Sequence, residues 1–102
     1  GPTFGWHREI ELIDLQAAAN AGEVCLVIAK SRDLNRPGHA VAILPEHDGC
    51  QAKRDRAGDV LRPAESQCGA RNVRCATAPS AWWLSEKYQG YGFWRQPGGE
   101  AT

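Results

Sequence analysis

Apolar positions along the chain fall into short runs separated by Gly, Pro and clustered charges, and each run predicts one small element. Asp14 is placed to cap a short helix, Leu15 to Ala21, whose alanines are strong helix formers, and Gly22 is placed to stop it. Glu23 to Lys30 is an apolar, β-branched stretch with charged ends, which predicts a strand buried on both faces. Ser31 to Gly38 carries turn residues, and Gly38 to Leu44 predicts a second strand that Pro45 ends, so the two strands are expected as an antiparallel hairpin. Glu46 to Asp59 is polar throughout and reads as a long exposed loop. Val60-Leu61 and Glu65 to Cys68 predict a short strand interrupted by Pro63. Thr77 and Pro79 suit the start of a second helix running to Tyr88, with Gly90 as its stop, and Tyr91 to Arg95 predicts a closing strand. This order predicts an α+β domain: a small, mostly antiparallel sheet with two short helices.

Composition narrows the class. The chain has 102 residues, 42% hydrophobic and 24% charged, which is the make-up of one folded domain and leaves no room for two ordinary ones. Residues 1–95 are expected to form a single domain or part of one, and 96–102 a flexible tail. The longest apolar run, Val24 to Ala29, is far short of the roughly 20 residues of a membrane span. Basic and acidic residues balance at twelve each, so no global charge draws the chain to nucleic acid or anionic lipid. The opening Gly1-Pro2 has the form of a cleavage remnant, so native sequence is expected upstream.

Four cysteines without a C-x-x-C pair give a zinc ribbon little support. Cys25 lies inside an apolar run and reads as a buried core thiol. Cys50, Cys68 and Cys75 lie in polar, loop-like sequence, where one disulfide among them suits an exported protein; Cys68 to Cys75 would close the shortest loop. Of the three histidines, His7 and His47 read as solvated surface residues. His39 differs, because it follows Gly38 at the start of a strand, where a rigid element can hold an imidazole ready as a general base. Trp82, Trp83, Tyr88, Tyr91, Phe93 and Trp94 form a dense aromatic set, expected mainly in the core, with Trp82 or Trp83 reaching the surface.

The ordered set Trp6, Leu15-Gln16-Ala17-Ala18-Ala19-Asn20-Ala21-Gly22, an apolar strand, Arg36-Pro37-Gly38-His39-Ala40-Val41-Ala42-Ile43, Pro45-Glu46, Ser66-Gln67-Cys68-Gly69-Ala70-Arg71-Asn72 and a closing aromatic strand resembles the C-terminal part of NlpC/P60-type bacterial cysteine hydrolases and their CHAP-like relatives, over roughly Phe4 to Arg95. The resemblance implies the sheet half of a papain-like fold and cleavage of amide bonds in cell-wall peptides, with no cofactor. It implies His39 as the base and, within Ser66 to Asn72, a residue orienting it: Gln67, with Asn72 in reserve. The family's nucleophilic Cys precedes this region, so here it is expected upstream; in a permuted version of the fold, Cys75 ahead of the second helix takes that role.

The partner so implied is a peptidoglycan peptide, in the bacterial periplasm or outside the cell. Such enzymes serve in wall remodelling, phage lysis and toxins, and a toxin would bring an immunity or inhibitor protein. A domain missing its nucleophile helix should expose a sheet face, open to a homodimer. A different class of reading is a non-catalytic module that holds a glycan or a protein through Trp82 and Trp83, with Arg54 and Arg56 nearby.

Overall fold

The structure, a computed structural model, describes residues 5–68 and 73–96, and at positions 67, 68 and 73 the backbone only. The elements in chain order are β1 His7–Glu9, α1 Leu12–Asn20, β2 Val24–Ser31, β3 His39–Ile43, β4 Lys53–Arg54, β5 Val60–Arg62, β6 Ala64–Cys68, β7 Val73–Thr77, a 3₁₀ turn Trp82–Leu84 and β8 Tyr88–Gln96. Six strands form one sheet in the order β1-β8-β2-β3-β6-β7, and β4 and β5 form a separate ribbon. Each of these pairings is antiparallel. The α+β class with a mostly antiparallel sheet is thus as expected, and β2 and β3 form the expected antiparallel pair, Ala29 opposite His39 and Cys25 opposite Ile43.

Helix α1 starts at Leu12, ahead of Asp14, because Leu12 extends the buried stripe Leu12, Leu15, Gln16 and Ala19 by one turn. Glu11 occupies the cap position in extended conformation without a side-chain cap bond, and Asp14 sits in the first turn, where the helix dipole favours its charge. The other end closes as a Schellman motif: Gly22 adopts φ 96°, its N–H donates to the Ala19 carbonyl, and the Glu23 N–H donates to the Ala18 carbonyl.

The helix lies on one face of the sheet. Leu12, Leu15 and Ala19 pack there with Cys25, Val27, Ala29, Ile43 and Phe93, and Trp83 completes the cluster. Only that face of β2 is covered; on the other, Val24 and Ile28 are 50% and 39% exposed, against the expectation of burial on both sides. The expected second helix is also absent. Residues 73–77 are strand, only Trp82–Leu84 turns helically, and the chain re-enters the sheet at Tyr88, so Gly90 lies inside β8. Pairing explains this: β8 runs between β1 and β2 over nine residues, and ladder bonds along that length outweigh a short helix of ordinary propensity.

The polar stretch 46–59 is held by specific bonds. Glu46 accepts hydrogen bonds from Asn20 Nδ2, the Ala52 N–H and both terminal nitrogens of Arg54. Asp55 Oδ1 accepts from the Ala57 and Asp59 N–H groups in the β4–β5 turn. The expected tail lies outside the described residues except for Gln96, which ends β8.

Candidate functional site

His39 opens β3 and is exposed. Gly38 before it passes so close to β2 that a Cβ there would overlap the Ala29 carbonyl oxygen, so only glycine lets β3 enter the sheet at this point. Strand alternation puts His39 on the same face as Val41 and Ile43, the face that α1 covers further along.

The His39 ring meets Trp82 edge to face, with centroids 4.8 Å apart. Trp82 in turn packs against Trp83 and Tyr88, at 5.6 and 5.8 Å. Its indole Nε1–H donates to the Glu65 carboxylate at 3.2 Å, and Glu65 is only 3% exposed although it bears a carboxyl group. Glu65 pairs with Ile43 across β3–β6. His39, Trp82 and Glu65 therefore form a connected row on the helix-covered face, from the start of β3 to the residue opposite its end. Pro37, next to Gly38, and Tyr88, next to Trp82, help line a nearby cleft of ≈ 390 Å³ with Arg32, Lys87 and the Arg36–Asp33 ion pair along its wall.

Gln67 belongs to β6, where it pairs with Arg74 of β7. Its side chain, and Asn72 altogether, lie outside the described residues. Two positions before it, Glu65 is not singled out by the sequence pattern; its burial is a product of the tertiary structure.

Cys75 does not fit the nucleophile's role. It lies in the middle of β7, with no helix N-terminus at hand, and its sulfur is bonded to Cys50. A disulfide sulfur cannot act as a thiolate. The observed pairing is thus Cys50–Cys75 and not the shortest loop. Cys25 is 1% exposed, and its thiol is pushed up to about 11, by burial first and then by the nearby Glu23 carboxylate. A thiol so placed is inert at neutral pH.

The two tryptophans separate. Trp83 is 4% exposed and sits in the core against Phe93, at 6.0 Å, which rules it out as a binding surface. Trp82 is half-buried, and its contacts are to His39, Trp83, Tyr88 and Glu65. Arg54 is engaged by Glu46. On the far face, Leu26, Ile28 and the half-buried Trp94 line a groove of ≈ 610 Å³ with Trp6 and Arg8, whereas the exposed Tyr91, opposite Ala29 and against Phe93, has its ring on the helix-covered side.

That open face lies on the opposite side of the sheet from His39.

The matched residues Gln16, Asn20 and Glu46 prove to be structural. Gln16 is fully buried: its Nε2 donates to the Leu44 carbonyl at 2.8 Å and its Oε1 accepts the Ala64 N–H at 2.8 Å, which ties α1 to the ends of β3 and β6. Asn20 Oδ1 accepts from the Glu46 N–H and from Gln16 Nε2.

Among known proteins, no family model matches the chain, and neither does any curated protein or solved structure.

Proposed function

We propose that this chain is the His-bearing part of a papain-like hydrolase that cleaves peptide amide bonds of bacterial peptidoglycan, with His39 as general base. The observation that carries the reading is the exposed His39 imidazole at the start of β3, held by the Trp82 ring. The required chemistry is simple. His39 takes the proton of a thiol as its sulfur attacks the scissile carbonyl, then returns that proton to the leaving amine. The nucleophile comes from a segment upstream, since among the described cysteine side chains Cys25 is buried and Cys50 and Cys75 are joined. Gln67 or Asn72 orients the imidazole by bonding its second nitrogen. Arg32 and Lys87 in the nearby cleft, beside the Arg36–Asp33 ion pair, favour a substrate with free carboxylates, as wall peptides carry.

The test compares the chain alone with the chain joined to the upstream segment of its own gene, on a bacterial wall peptide. The joined protein should cleave it, the chain alone should not, and His39→Ala in the joined protein should lower the rate by about 10²–10⁴-fold. Cleavage by the chain alone that survives Cys75→Ala, or full activity of the His39→Ala protein, overturns the reading.

A second reading, a non-catalytic module holding a wall glycan, is favoured by the Trp94 ring beneath the Arg8 guanidinium in the open groove. It replaces Trp82 and Trp83 as the binding residues. Glycan binding lost in Trp94→Ala and retained in His39→Ala distinguishes it.

A further inference from the structure

Among the described residues one set of three metal-ligating side chains converges, at the loop that follows β3. The loop after β3 folds back at His47 and Cys50, where each backbone N–H donates to the other's carbonyl, at 3.0 and 2.9 Å. The segment His47-Asp48-Gly49-Cys50 is therefore a closed turn with a ligand-type side chain at each end. Cys75 comes to it from β7. A ring nitrogen of His47 and the sulfur atoms of Cys50 and Cys75 all lie within 4.8 Å of one another.

In the structure the two sulfurs are bonded to each other. We propose that reduction of this disulfide turns the cluster into a binding site for one zinc ion, held by His47, Cys50 and Cys75. The balance is that of thiol–disulfide exchange: a dithiol donor is oxidised to its disulfide, Cys50 and Cys75 each gain a hydrogen as thiols, and the incoming Zn²⁺ displaces both protons. Two thiolates then neutralise the dication, and the neutral imidazole supplies the third ligand. A three-ligand set leaves a fourth position for water or a further group.

The spacing suits the ion. Ligand atoms of a tetrahedral zinc site stand about 3.5–3.8 Å apart, given Zn–S near 2.3 Å and Zn–N near 2.0 Å. Parting the two sulfurs by reduction moves the cluster towards that geometry. Both limbs of the site are also anchored by bonds other than the disulfide. Thr77 Oγ1 on β7 donates to the Gln51 carbonyl at 2.5 Å, the Ala52 N–H donates to Glu46 at 2.8 Å, and the Leu44 N–H donates to Ala64 at 2.9 Å. The loop therefore stays beside β7 when the sulfurs separate. His47 Nδ1 accepts the Gly49 N–H at 3.3 Å, which holds the ring over the turn and occupies that lone pair, so the ion is bound through Nε2 or in exchange for this long bond. His47 is exposed, Cys75 half-buried and Cys50 buried, which gives the ion an approach from the His47 side.

The sequence carries a trace of this site in the His-x-x-Cys spacing of His47 and Cys50; the third ligand, 25 residues further on, is supplied only by the sheet.

Cobalt(II) serves as the probe. The 102-residue chain is reduced with a phosphine, freed of reductant under anaerobic conditions, and titrated with Co²⁺ and then Zn²⁺. Expected are one Co²⁺ per chain with thiolate-to-cobalt absorption, its displacement by Zn²⁺, and neither in the oxidised chain. His47→Ala, which leaves the disulfide and its anchors in place during folding, should weaken Co²⁺ binding at least tenfold. The Cys25→Ala/Cys68→Ala double variant should bind as the parent does. The proposal is overturned by the absence of thiolate absorption in the reduced chain, by equal binding when oxidised, by unchanged affinity in His47→Ala, or by loss of binding in the double variant.

Discussion

Glu46 receives the Arg54 guanidinium in a two-pronged contact, 2.7 Å at each oxygen, together with Asn20 and the Ala52 N–H. These contacts, Arg54 first, hold its carboxyl well below the usual range, at about 2 instead of 4.5. A depressed folded-state value means that Glu46 stabilises the fold in full above its unfolded value, and that this contribution fades as pH falls from 4.5 towards 2. Arg54 is partly exposed, so solvent screening reduces the worth of the contact to about 1–2 kcal/mol. Urea unfolding between pH 7 and 2 should therefore show Glu46→Gln less stable than the parent by that amount at neutral pH, with the gap closing at the acid end. A constant gap would place the stabilisation in packing and not in charge. None of this was legible in sequence, because Asn20, Glu46, Ala52 and Arg54 meet only when the loop turns back on the end of α1.

Strand β3 shows what local chemistry can and cannot specify. Gly38 and Pro45 bound it correctly, and alternation along it separates Val41 and Ile43, buried, from Ala40 and Ala42. The glycine's reason is tertiary: its Cα faces the Ala29 backbone. Gly38→Ala should force β3 away from β2, lowering stability by about 1–3 kcal/mol and shifting the His39 ring signals in NMR spectra. Unchanged stability and unchanged His39 shifts would mean that the two strands have room to part. The reading of residues 77–88 as helix went astray for a related reason. Thr77, Pro79 and the alanines are fair helix residues, yet β7 and β8 are claimed at either side by long antiparallel ladders, and only the three residues carrying Trp83 into the core remain helical.

At the scale of the whole chain, the sheet is covered on one side and open on the other, and the Cys50–Cys75 bond ties the loop after β3 to the edge strand β7. Closing a loop of 25 residues restricts the unfolded chain by about 3 kcal/mol. Reduction, or Cys50→Ala with Cys75→Ala, should lower the denaturant midpoint accordingly; a loss under about 1 kcal/mol would mean that the Thr77 and Glu46 anchors alone order the loop. What the sequence by itself determined is the local part: α1 and its glycine stop, the β2–β3 pair, His39 at a strand start, the burial of Cys25, and an α+β class. These follow from periodicity, capping and turn residues, which act over a few neighbours. Only the tertiary structure decided that one face of β2 is open, that Trp83 is core while Trp82 abuts His39, that buried Glu65 holds Trp82, and which cysteines pair. Each depends on contacts between residues far apart in the chain, and those are set by strand order and register, which no local pattern encodes.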